Sequence, residues 1–210
     1  MTIHLGDLAP DFYAETTEGP IEFLKWKAGT WAVLFSHPAD YTPVCTTELG
    51  RVASLQQEFA KRNVKVIALS VDPLSHHLGW MRDIDEVTGH AVNFPLIADA
   101  DRRISYLYDM IHPGAGTITT VRSVFIIGPD DRIKVTINYP ANVGRNFTEL
   151  LRVIDALQTA EANLVVTPAD WNDGDEVIIA PEVTDDLARK RFPGFVTKKP
   201  YLRVTKLPPR

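Results

Sequence analysis

The sequence predicts an α/β fold, a mixed sheet flanked by helices and followed by a small C-terminal extension. Three observations carry this. Short apolar runs alternate with segments of helical spacing. Two of the runs, Trp31–Phe35 and Val66–Val71, are near-continuously apolar, as strands covered on both faces are. The last two runs flank the turn cluster Gly128-Pro-Asp-Asp131 and so read as a hairpin.

In chain order, Trp31–Ser36 is the first strand candidate. Thr42 to Arg62 then places Leu49, Val52, Leu55 and Phe59 at three- and four-residue spacing, which predicts a helix. Asn63 turns the chain into the strand Val64–Val71. Leu74 to Thr88 is a second helix, with Leu78, Met81 and Val87 expected to face inward. Phe94–Ala98 is the third strand and Arg102–Tyr108 a short third helix. Val121–Ile127 and Arg132–Asn138 form the hairpin. Asn146 to Thr159 closes the main domain as a helix with Phe147, Leu150, Leu151, Ile154 and Leu157 on one stripe. After about Leu164 the texture changes: residues 165–210 hold six of the fifteen prolines, and their hydrophobic runs, Val177–Ile179 and Tyr201–Val204, are short. The organisation expected is a main domain over 1–165 and an extension over 166–210 that packs on the main domain or on a second subunit.

A chain of 210 residues buries enough surface to need no disulfide or metal for its core. Its formal net charge of −5 argues against a general nucleic-acid binder and against an anionic-membrane binder. No stretch is long and apolar enough to span a bilayer. The opening MTIHLGDLAPDF lacks a basic region followed by an apolar run, so no secretory signal is expected. The single cysteine excludes an intramolecular disulfide and a four-thiolate zinc site, and it suits a reducing cytoplasm.

The neighbours of that cysteine carry the chemistry. In Phe35-Ser-His-Pro-Ala-Asp-Tyr-Thr-Pro-Val-Cys-Thr-Thr-Glu48 a buried strand ends, a polar loop follows, and Thr42-Pro43 opens a helix as N-cap and first helical residue. Cys45 is then the third helical residue. Its sulfur sits in the first turn, where unpaired backbone N–H groups and the positive end of the helix dipole favour an anion. That position suits a thiolate nucleophile rather than an inert core thiol. Such a thiolate needs a cationic partner and must be open to small oxidants. Arg122, near the start of an apolar strand, is either an edge residue facing water or one aimed at a site. Arg145 follows Gly144 just before the last helix. His37 is either a donor behind the site or a packed loop histidine.

Pro38-x-x-x-Thr42-x-x-Cys45 resembles the active-site signature of the peroxiredoxins, and Ser36 to Gly50 is similar to their one-cysteine class. Leu5 to Phe12, Asp99-x-Asp101, Val121-Arg-Ser-Val-Phe125 and Tyr139-Pro-Ala with Gly144-Arg-Asn-Phe extend the likeness. In the extension, Trp171-x-x-Gly174-Asp and Tyr201-Leu-Arg do so too, so almost the whole chain is covered. The resemblance implies a thioredoxin-like fold and a peroxidatic Cys45. It implies that Thr42 holds peroxide and thiolate together, that Arg122 is the strand arginine, and that Pro38 shields the pocket. Glu48 resembles the acidic residue that orients the arginine, Arg145 a second supporting arginine, and His37 a histidine near the sulfur.

On that resemblance the thiolate is expected to attack a hydroperoxide oxygen in line with the O–O bond, with Arg122, the Thr42 hydroxyl and first-turn N–H groups stabilising the charge growing on the leaving oxygen. The product is a sulfenic acid plus water or an alcohol. With no second cysteine, an external thiol or other reductant must regenerate the enzyme. No cofactor and no metal are expected. The resemblance also implies a homodimer whose C-terminal segment crosses to its neighbour, or a larger ring.

Other readings are weaker. Cys45-Thr-Thr-Glu-Leu-Gly-Arg51 has phosphatase spacing, but Glu48 would repel a phosphate dianion. A thioredoxin-like binding module with a relic cysteine has no use for the set Pro38, Thr42, Cys45 and Arg122. Some one-cysteine relatives are credited with phospholipase activity through G-x-S-x-G; the matching Ala28-Gly-Thr-Trp-Ala32 lacks the serine and final glycine, so no lipase activity is expected. His76-His77 are adjacent on a helix and point apart, so they do not suit a shared metal. Asp170 to Glu176 does not fit a calcium loop, because Ala169 and Ala180 fall on two key ligand positions. Trp26, Trp31, Trp80 and Trp171 read as core or interface anchors.

Overall fold

A computed structural model describes residues 3–116 and 118–208. Met1, Thr2, Thr117, Pro209 and Arg210 lie outside the described residues. The chain divides into two compact units, Met1–Phe147 and Thr148–Arg210.

In the first unit, β1 (Tyr13–Ala14) and β2 (Ile21–Glu22) pair as a small antiparallel ribbon and lead into α1 (Phe23–Lys27). Then follow β3 (Trp31–Ser36), α2 (Pro43–Ser54), α3 (Gln56–Lys61), β4 (Val64–Ser70), α4 (Leu74–Thr88), β5 (Leu96–Ala98), α5 (Arg103–Leu107), β6 (Arg122–Ile127) and β7 (Ile133–Tyr139). The central sheet runs β5-β4-β3-β6-β7. β3, β4 and β5 are parallel, and β6 and β7 join as the expected antiparallel hairpin. All six residues of β3 and all six of β6 are buried; β3 reads as near-continuously apolar for that reason, whereas β6 buries the polar Arg122 and Ser123 at its start.

The predicted helix from Thr42 to Arg62 is interrupted at Leu55, where ψ is 4° and the Ser54 hydroxyl donates to the Arg51 carbonyl. That side-chain bond offers the backbone an alternative to the helical ladder. The anticipated stripe still packs: Leu49, Val52 and Phe59 are fully buried. The inward face of α4 differs from the expected one. Leu78 and Val87 are exposed, and His77, Trp80 and Ile84 are buried instead. Hydropathy misplaced this face because the polar groups of His77 and Trp80 find partners inside, as described below. Gly50 lets α2 approach α4 closely, since a Cβ there would lie 2.5 Å from the Thr88 side chain.

The second unit starts with α6 (Phe147–Asn163), whose first residue belongs to the first unit, and adds β8 (Val165–Val166), β9 (Val177–Ile179), α7 (Asp185–Arg191), β10 (Val196–Lys199) and β11 (Leu202–Thr205). Its strands form an antiparallel sheet in the order β10-β11-β9-β8. A boundary near residue 165 assigns α6 to the main domain, whereas the contacts group it with the extension. Arg152 of α6 donates to the Trp171 carbonyl, and Ala156 packs on the cluster of Val165, Trp171, Val177, Ile179 and Val183.

Candidate active site

The site grows from the end of β3. Ser36 is the last strand residue, and its hydroxyl donates to the Val121 carbonyl. The chain leaves the sheet through His37, Pro38, Ala39 and Asp40 and reverses at Tyr41, which sits in the left-handed region with φ 54°. Such a φ is uncommon for a bulky residue and is held here by fixed neighbours. One neighbour is Asp40, whose backbone N–H donates to Asp72 Oδ2 at 2.9 Å.

Thr42 then takes the N-cap position of α2 in an extended conformation (φ −114°, ψ 146°), Pro43 is the first helical residue and Cys45 the third, as the sequence predicts. The first helical bond closes from Thr46 N–H to the Thr42 carbonyl, so the N–H groups of Val44 and Cys45 precede the ladder and point out of the helix start. The Thr42 hydroxyl does not cap the helix. It donates to the Ala39 carbonyl at 2.8 Å, which leaves its lone pairs as acceptors. Pro38 is half-buried in the same loop.

Arg122 opens β6 and is aimed at the site, not at water; it is 2% exposed. Its Nη1 donates to Cys45 Sγ at 3.3 Å and to Glu48 Oε2 at 2.7 Å, while Nε and Nη2 both donate to the Ala141 carbonyl. Glu48 lies one turn after Cys45 on α2. It accepts from Arg145 as well: backbone N–H at 2.8 Å, Nε at 2.9 Å and Nη2 at 2.6 Å. Arg145 spends Nη1 on the Ser36 and Ser123 carbonyls and is stacked between the rings of Phe35 and Phe147. Arg145 therefore holds Glu48, and Glu48 with the Ala141 carbonyl holds Arg122.

Burial raises the Glu48 carboxyl, but the hydrogen bonds and charges of Arg145 and Arg122 outweigh it and bring the group below its ordinary value. Burial lowers Arg145, and its bonds to Glu48 offset part of that. Two buried guanidiniums against one buried carboxylate leave one positive charge uncompensated.

The residue Cys45 is itself fully buried. The sequence reading required a sulfur open to small oxidants, and this corrects it. The Arg122 guanidinium against Sγ helps close the sulfur in, so oxidant entry needs a local opening of the structure.

His37 is fully buried and reaches Asp40 Oδ1 through Nε2 at 2.8 Å. Burial lowers it from its ordinary value, and the hydrogen bond from Asp40 restores only part of that. Asp40 is bracketed: its other oxygen lies 2.6 Å from His77 Nδ1, and His77 Nε2 lies 3.0 Å from the Ile97 carbonyl. Burial raises Asp40, but the two histidine contacts together bring it down to about 2. Sequence reasoning did not single out Asp40 and set His77 aside with His76. The two do diverge, with His76 exposed and His77 buried. A signal was present, an aspartate three residues after His37, but His77 comes from a distant helix. The ligand atoms of His37, Asp40 and His77 lie within 4.8 Å of one another, which makes them a group of metal-ligating type among the described residues.

The Ala28–Ala32 stretch carries no serine. The Thr30 hydroxyl donates to the Lys27 carbonyl at 2.7 Å, and the buried Lys27 ammonium donates to the Thr30 carbonyl.

Residues 5–136 match the AhpC/TSA family, and residues 156–194 match the C-terminal domain of 1-Cys peroxiredoxin. The chain is 50% identical over 207 residues to a 1-Cys peroxiredoxin of Dictyostelium discoideum, covering 98% of this chain and 86% of that protein. Among solved structures, a mutant of the peroxiredoxin 6 of Arenicola marina superposes with a TM-score of 0.93 at 45% identity, over 98% of this chain and 99% of that one. The yeast mitochondrial 1-Cys peroxiredoxin, described as resolved through glutathione and thioredoxin systems, gives a TM-score of 0.93 at 47% identity, over 98% and 100%.

Proposed function

The chain belongs to the AhpC/TSA family as a peroxiredoxin of the one-cysteine class, a thiol-dependent peroxidase served by an external reductant, and from that premise we propose how its residues divide the work. Cys45 is the nucleophile. Its thiolate attacks one oxygen of the hydroperoxide; an S–O bond forms and the O–O bond breaks. Arg122 Nη1, already on the sulfur, stabilises the charge as it passes to the leaving oxygen. Thr42 holds the peroxide and the thiolate together. Glu48 and Arg145 position Arg122, Pro38 shields the pocket, and His37 lines it. The leaving oxygen takes up a proton to become water or an alcohol, and Cys45 is left as sulfenic acid. The observation that carries this reading is the 3.3 Å contact between the Arg122 guanidinium and Cys45 Sγ at the start of α2.

The reductant in this reading is a small thiol or a thioredoxin-type protein, because no second cysteine is available in the chain. A homodimer is part of it too: β7 is an end strand of the central sheet, paired on its outer side by Gly6 and Asp7 at Ile133, and the rest of its length is where a second copy would add. A reducing compartment, the cytoplasm, suits a single free thiol. Lipase activity is not part of the reading, since the only hydroxyl in Ala28–Ala32 is engaged by Lys27.

The test is mass spectrometry after one equivalent of hydrogen peroxide, with turnover then measured against glutathione and thioredoxin systems. A gain of one oxygen on Cys45, absent in Cys45→Ser, is expected. No gain on the wild-type sulfur would overturn the reading. Light scattering after size exclusion checks the dimer, and a tagged chain checks the compartment.

A further inference from the structure

We propose that Asp40 and His77 are positioning residues for His37: together they keep its single ring hydrogen on Nε2, so that Nδ1 stands as a bare, buried acceptor for the O–H of the hydroperoxide. The inference deepens the peroxidase reading and rests on it.

The hydrogens can be placed from geometry. His77 Nε2 faces the Ile97 carbonyl, which can only accept, so Nε2 carries a hydrogen. His77 Nδ1 lies 2.6 Å from Asp40 Oδ2 and ties that carboxylate oxygen to α4. The Asp40 carboxyl is ionised through most of the pH range, because the histidine contacts outweigh its burial, so Oδ1 can only accept and the His37 Nε2 that faces it carries the hydrogen. Its placement does not depend on the rings alone. The Asp40 backbone N–H is fixed on Asp72, and Ser70 donates to the same Asp72 oxygen.

His37 is kept neutral by burial, with the charges of His77 and Arg145 acting in the same direction. A neutral imidazole has one N–H. Here it points at Asp40, which makes Nδ1 an acceptor. That nitrogen is fully buried and has no hydrogen-bond partner. An unpaired buried polar atom in an otherwise satisfied loop asks for an absent partner. The ring belongs to the loop that leads from β3 into the Cys45 turn. It lies 5.3 Å from the Trp80 ring, whose Nε1 donates to the hydroxyl of Thr46, the residue after Cys45. The donor that peroxide chemistry brings is an O–H.

A divalent cation also suits the donor types of His37, Asp40 and His77. It would displace the hydrogen that His37 Nε2 gives to Asp40, and ligation through His37 Nε2 would leave Nδ1–H buried with no acceptor. The tautomer reading leaves the existing bonds intact.

The full-length protein tests this by ¹⁵N NMR of the histidine rings, together with stopped-flow oxidation of Cys45 by hydrogen peroxide. Wild type is expected to show His37 as the Nε2–H form. Asp40→Asn can turn an amide N–H toward Nε2, which moves the hydrogen to Nδ1; oxidation is then expected to fall about 10-fold or more. His37 as Nδ1–H in wild type overturns the proposal, and this readout needs no variant to fold. So does an Asp40→Asn protein oxidised at the wild-type rate, or stoichiometric zinc binding that His77→Gln abolishes. If wild-type Cys45 itself gains no oxygen, it is the peroxidase reading that fails, and the NMR result stands apart from it.

Discussion

The Arg122 guanidinium lies on the Cys45 sulfur, with Nη1 3.3 Å from Sγ. Its other two nitrogens are anchored on the Ala141 carbonyl, so the contact is preorganised. Arg122→Ala removes the donor that stabilises charge as the O–O bond breaks. The expected loss in the rate of Cys45 oxidation is about 10²-fold or more, as for other lost oxyanion donors. Arg122→Lys should recover little of it, because a point ammonium cannot span Ala141, Glu48 and the sulfur together. Stopped-flow oxidation of either variant at wild-type speed would remove the assignment.

Glu48 is the common anchor of two buried guanidiniums. Glu48→Gln keeps the shape but removes the negative charge, and its amide N–H₂ then faces donors. Leaving buried charges uncompensated costs roughly 3–5 kcal/mol. Urea unfolding should show a destabilisation of that size, and oxidation should slow because Arg122 is released. A variant within about 1 kcal/mol of wild type would contradict this network.

Much of this site could be read from the chain because its chemistry is local. Thr42 and Pro43 specify the helix start, and their spacing to Cys45 fixes the sulfur in the first turn. Arg122 was ambiguous, since a charged residue at the head of an apolar strand faces either way until the strand is placed between β3 and β7. Arg145 stood out in the chain, but its pairing with Glu48 came only from the family likeness: their contact spans 97 positions, which no periodicity reports. Hydropathy also misjudged α4. A histidine and a tryptophan with satisfied nitrogens are better buried there than Leu78 and Val87. The burial of Cys45 was missed for a related reason, because its lid comes partly from β6, far along the chain.

That burial has a kinetic consequence. Reagents reach Cys45 only through a local opening, and bulky ones need a larger one. A bulky disulfide reagent should therefore react with native Cys45 about 10²-fold or more slowly than with the unfolded chain, which corresponds to an opening free energy of roughly 3 kcal/mol. Hydrogen peroxide needs the smaller opening and gains from Arg122 once inside. Timed alkylation in native buffer and in urea checks this. Equal rates in the two conditions would mean that the sulfur is open.

Acid should destabilise the fold in two stages, each with a named group. His37 has an ordinary value of 6.5, lowered in the fold by burial. As pH falls below that ordinary value, the unfolded chain takes up a proton that the folded His37 refuses, so stability declines from near pH 6.5 until the folded value is reached. Asp40 acts lower. Its ordinary value is 3.8, and the folded value is about 2. Its contribution is complete above the ordinary value and is lost as the pH falls from there to about 2, amounting to about 2 kcal/mol. Glu48, also lowered, adds to this second stage. Urea midpoints measured from pH 7.5 to 3 should show both slopes, and His37→Gln should remove the upper one while lowering stability at pH 7.5. A wild-type profile flat between pH 7.5 and 5, or an upper slope that survives in His37→Gln, would place the proton uptake on another group.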